Sequence, residues 1–69
     1  MHSRQEGTVK WFDEGRGIGV ISVEGQTREF LVLRCAAVNV GLSRGMRVSF
    51  NPVTEALGNW AFNVAREHH

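Results

Sequence analysis

Gly7 to Phe12 read GTVKWF and Arg16 to Ile21 read RGIGVI, with only the turn-like Asp13-Glu14-Gly15 between them. Both stretches are short, mix β-branched with aromatic or aliphatic residues, and end at turn formers, which predicts two consecutive strands joined tightly. Side chains of a strand alternate faces, so the adjacent Trp11 and Phe12 cannot both enter one core. At least one large ring is therefore expected at the surface. In the second stretch the residues between the glycines are aliphatic, and what a sheet does with Ile18 and Val20 there becomes the functional question.

The same rhythm continues outward from these two runs. Short apolar segments punctuated by glycine predict strands at about Gly7–Phe12, Ile18–Val23, Glu29–Leu33, Met46–Val53 and Asn59–Ala65. Glu24-Gly25-Gln26 and Ser43-Arg44-Gly45 each place a glycine where a tight turn needs positive φ, and the first of them makes the second and third strands a hairpin. Cys35 to Leu42 reads as a loop with one short helical turn, since its alanines permit a turn while Asn39 and the valines oppose a long helix. Pro52 cannot donate to a ladder, so that end of the fourth strand is expected at an edge or a bulge.

A chain of 69 residues fits one domain, spanning 1–69 with its core in about 7–65, and buries only about 60% of the surface that its unfolded form exposes. Modest stability follows. The single cysteine, Cys35, excludes an internal disulfide and is expected to be a buried or half-buried small hydrophobe. The three histidines have no companion cysteines at zinc-ligand spacing, so no metal and no cofactor is implied. No apolar run approaches the ~20 residues of a membrane span and the start lacks a signal-peptide core, which predicts a soluble, unprocessed chain in a reducing cytoplasm. His2 is expected to be solvated in a polar start, and Glu67-His68-His69 resembles an expression-tag remnant, so His68 and His69 are given no role. Seven arginines and one lysine against seven acids leave a net charge of +1. Bulk charge alone therefore advertises no polyanion partner.

Alternation divides the second strand into Gly19, Ile21 and Val23 on one face and Ile18, Val20 and Ser22 on the other. In the third, Leu31 and Leu33 oppose Phe30, Val32 and Arg34. With the first set of each strand taken as core, the outer face carries Ile18, Val20, Phe30 and Val32, and Trp11 and Phe30 stand side by side on it. The other reading buries both faces, one beneath the loop from Cys35 to Leu42, because large exposed apolar patches are uncommon on monomers.

The succession GTVKWF, RGIGVI, EFLVL, GMRVSF and a final NVA resembles the cold-shock domain family from Gly7 to Val64. In that family the second strand carries K-G-F-G-F-I, the third V-F-V-H-F, and the end reads G-P-Q-A-A-N-V. The resemblance implies an all-β fold, a five-stranded antiparallel β-barrel of the oligonucleotide-binding (OB) type, whose second and third strands stack aromatics on single-stranded RNA or DNA. By the resemblance, Trp11, Phe12 and Phe30 keep stacking positions, while Ile18, Val20, Val32 and Leu33 stand where the family has rings. Lys10 and Arg16 occupy its phosphate-side positions, with Arg28 and Arg34 as additions, and Asp13, Glu14 and Glu29 oppose that field. Trp60 replaces the glutamine of the last motif, as either a compensating stacking platform or core filler. Phe62 is expected in the core with Val64.

Base stacking on an aromatic is worth about 1–3 kcal/mol per base. The missing rings thus predict a single-stranded nucleic-acid binder of reduced affinity, an RNA chaperone or regulator of transcription or translation. The alternative is a protein-binding or homodimerisation module that uses the aliphatic face. No catalytic constellation is present: the sequence has no internal histidine and no anchored carboxylate pair, and Cys35 has no partner base. Neither a small-molecule substrate nor a membrane partner is implied.

Overall fold

The computed structural model describes residues 4–67; His2 and His68–His69 lie outside them. Among these residues are five strands, β1 (Gln5–Asp13), β2 (Ile18–Ser22), β3 (Glu29–Leu33), β4 (Arg47–Glu55) and β5 (Gly58–Arg66), with a short 3-10 turn at Arg34–Ala36. They close into a barrel in the order β1-β2-β3-β5-β4. All pairings are antiparallel except the short one that joins β3 to β5, where Leu31 and Val32 meet Trp60 and Ala61 in parallel. The expected all-β, five-stranded OB-type barrel is what the chain forms.

The turns work as their residues predict. Gly25 has φ 81° and Gly45 φ 87°, and each turn closes with a backbone bond, Gln26 N–H to Val23 O at 3.0 Å and Met46 N–H to Ser43 O at 3.1 Å. Pro52 lies beyond Phe50, the last β4 residue paired with β1, so its missing N–H interrupts no ladder on that side. The segment after β3 holds the one 3-10 turn and then runs as a loop.

The core fills the barrel with Val9, Ile21, Val23, Phe30, Val32, Val48, Phe50, Ala61 and Val64, and Ala37 and Leu42 of the loop cap one end. Phe30 and Phe50 meet with ring centroids 5.1 Å apart at 56°. Such tilted pairs contribute about 0.5–1.5 kcal/mol beyond their burial.

Register decides which residues enter that core, and here the structure corrects the sequence reading of β3. Residues directly opposite in a ladder share a face. Ile21 pairs with Phe30 and Gly19 with Val32, so once Ile21 is core, Phe30 and Val32 must be core too. Both are fully buried, and it is Leu31 and Leu33 that point outward. Phe30 and Trp11 are therefore not neighbours on an outer wall.

Candidate nucleic-acid interface

The outer wall begins at an irregularity in β1. Val9 pairs with Ile21 and Trp11 with Val20, which leaves Lys10 as an extra residue in the ladder. A bulge of this kind reverses the alternation. Val9 faces in, Trp11 faces out with 44% of its surface exposed, and Phe12 turns back in. The ring of Phe12 packs half-buried against the core and over Gly19, where a Cβ would sit 2.6 Å from its Cδ1. Phe12 accordingly does not join Trp11 as a stacking surface, contrary to what the resemblance implies. Gly19 is the residue that lets it tuck in.

From Trp11 the register runs straight across the barrel: Trp11 opposes Val20, Val20 opposes Leu31, Leu31 meets Trp60, and Trp60 opposes Val53. One apolar row thus crosses every strand, with an indole on β1, an indole on β5 and aliphatic side chains between. Val20 is only 8% exposed yet lies outside the core cluster, because its row neighbours cover it. A second outer row sets Asp13 against Ile18 and Ile18 against Leu33, which is 37% exposed. The wall is neither buried beneath the loop nor fully open.

Trp60 is half-buried on this wall, not core filler. Phe62, expected inside, is 43% exposed. The cause is a second bulge: Ser49 pairs with Ala65 and Asn51 with Phe62, so Phe50 faces both Asn63 and Val64, and Asn63 takes φ 51°. Val64 stays in the core while Phe62 goes out. Asparagine is among the few residues that adopt positive φ readily, so Asn63 in mid-strand was the signal.

The basic residues are mostly engaged by acids or carbonyls. Lys10 Nζ donates to Glu29 Oε2 at 2.6 Å, a contact that reaches past β2 at the edge of the tryptophan row. Arg16 lies 3.8 Å from the Asp13 carboxylate, and the Arg34 guanidinium donates to the Glu14 carbonyl. Arg47 stands 4.0 Å from Glu6. Arg28 is exposed and takes part in none of the ion pairs among the described residues. Of the expected phosphate-side residues, Lys10 lies beside the row, whereas Arg16 belongs to the turn beyond Asp13.

Cys35 is exposed in the 3-10 turn, contrary to expectation. The loop's apolar anchors are Ala37 and Leu42, which leaves the thiol on the rim of an open hollow of about 840 Å³ bounded by Phe12, Arg34, Val38 and Leu42. Among the described residues no group of His, Cys, Asp and Glu gathers to hold a metal ion, and no helix is long and apolar enough to cross a membrane.

A closed five-stranded barrel with a short 3-10 turn after its third strand defines the oligonucleotide-binding fold class. Curated relatives narrow this. Cold shock protein CspA of Staphylococcus aureus (strain USA300) is 36% identical over 66 residues, covering 90% of this chain and 97% of the relative, and the CspA proteins of Staphylococcus saprophyticus and Staphylococcus epidermidis match to the same extent. No family model matches. At that identity and coverage the chain belongs to the cold shock protein family.

Proposed function

We propose that the chain binds single-stranded RNA or DNA on its outer wall, with little sequence preference, at an affinity below that of relatives with rings on β2 and β3. The observation that carries this reading is the in-register row Trp11–Val20–Leu31–Trp60, which presents two indoles on one face of a β-barrel. Bases stack on such rings whatever their identity, since every base has a π-face. Ile18, Val20, Leu31 and Leu33 supply apolar contact but no π-face, and Lys10 and Arg16 are already paired with Glu29 and Asp13. Both features weaken binding. A protein that holds unpaired bases competes with base pairing, which supports a role in loosening weak RNA structure and so influencing transcription or translation.

The aliphatic centre of the wall favours a second reading, a protein interface used for self-association or for a partner. Oligothymidine titration monitored by tryptophan fluorescence, repeated as salt is raised, tests the first reading. Quenching that weakens with salt supports it, whereas no quenching at micromolar protein with a dimeric mass by light scattering supports the second.

A further inference from the structure

The family resemblance gives neither Phe62 nor Arg4 a binding role, and the bulge at Asn63 brings them together. Phe62 is directly opposite Asn51, so the two share the outer face of β4 and β5. Arg4 reaches over that face. Its Nη1 donates to Asn51 Oδ1 at 3.1 Å, and its Nη2 donates to Ser49 Oγ at 3.0 Å and to the Asn63 carbonyl at 2.7 Å. A guanidinium has five N–H donors. The Nε–H and one Nη1–H remain unused by these bonds.

All three acceptors are neutral, and Arg4 takes part in none of the ion pairs among the described residues. This separates it from Lys10 and Arg16, whose charges are offset by carboxylates. A guanidinium already held in place also loses less freedom when it binds an anion. Phe62, opposite the Asn51 that Arg4 binds, is 43% exposed and lies two residues along β5 from Trp60. A cation with no carboxylate within 4.0 Å, held by hydrogen bonds near a partly exposed aromatic side chain, is the chemistry that takes a base and its phosphate together.

We infer that Phe62 and Arg4 form a second nucleotide subsite on the β4–β5 wall, with Phe62 stacking a base and Arg4 holding the adjoining phosphate. The inference rests on the single-strand reading proposed above. It extends the bound strand from Trp11 past Trp60, three strand steps or about 14 Å along the wall, onto strands that the family resemblance leaves without stacking residues.

The test compares a short oligothymidine of about four nucleotides with a long one of about sixteen, the span of site sizes for this fold. Phe62→Leu keeps apolar bulk and removes the π-face; Phe62→Trp keeps both; Arg4→Gln removes the charge. Thermal melts check that each variant folds. Phe62→Leu is expected to weaken the long strand by about 5- to 150-fold and the short one by no more than about two-fold, with Phe62→Trp binding like the unaltered chain. Arg4→Gln is expected to reduce the salt slope on the long strand by about 0.7. If Phe62→Leu binds the long strand normally while Trp11→Ala does not, the subsite is refuted and the single-strand reading stands. If the unaltered chain binds neither strand, both fall. A dimer that Phe62→Leu converts to monomer without affecting oligonucleotide binding assigns this face to protein and also overturns the inference.

Discussion

Replacing Glu29 by glutamine removes the charge that lies 2.6 Å from the Lys10 ammonium while keeping the length of the side chain. In the native protein a phosphate approaching Lys10 meets that carboxylate. Two unit charges 4 Å apart interact by about 1 kcal/mol in water and about 4 kcal/mol at the effective dielectric of a partly shielded surface. With the Lys10 and Glu29 side chains 56% and 45% exposed, the watery limit governs. The repulsion lifted is then about 1 kcal/mol, or roughly five-fold in affinity. Lys10, once released, neutralises a further phosphate and steepens the dependence of log affinity on log salt by about 0.7. Folding stability should change by less than about 1 kcal/mol, the usual worth of an exposed pair. Fluorescence titration with oligothymidine between about 50 and 200 mM salt measures both effects, and thermal melts measure the last. If Glu29→Gln binds no tighter and keeps the native salt slope, Lys10 is not a phosphate contact and the reasoning fails.

The register of β3 makes two substitutions at adjacent positions behave oppositely. Leu33→Phe adds a ring to the exposed wall and is expected to tighten oligothymidine binding by about 5- to 150-fold, whereas Val32→Phe, opposite Gly19 and Ala61 in the core, is expected to lower Tm by roughly 5–20 °C through overpacking. Equal behaviour of the two in binding and melting experiments would refute the assigned faces. Gly19→Ala should be costly as well, because its Cβ would lie 2.6 Å from both the Phe12 ring and the Trp11 carbonyl. A side chain can swing away but the carbonyl belongs to β1, so a Tm lower by roughly 5–20 °C is expected by calorimetry, with weaker binding as Trp11 shifts.

Strands and turns were legible because their signals are local. Gly25 and Gly45 sit where positive φ is needed, Pro52 marks the end of a ladder, and the short apolar runs match the strands to within a few residues. The faces were less legible, since alternation within one strand says which residues go together but not which way they go. In β3 the deciding residue was Glu29: it shares parity with Leu31 and Leu33, so burying those leucines would have buried its charge as well. For β1 and β5, single extra residues at Lys10 and Asn63 reversed parity midway. Asn63 announced itself by residue type; at Lys10 the only hint was that Val9 and Phe12, three apart, both had to face the core. These two bulges are what put Trp11 and Phe62 on the wall, so the part hardest to read was the part on which the proposed function rests.

The central claim is that the β1 and β5 indoles touch the same bound strand. Trp11→Phe and Trp60→Phe each leave one tryptophan as reporter, and both remaining signals should be quenched by oligothymidine with one shared midpoint and recover together as salt rises. A strand that leaves either reporter unchanged, or that quenches the two at different concentrations, would contradict the row as a continuous binding surface.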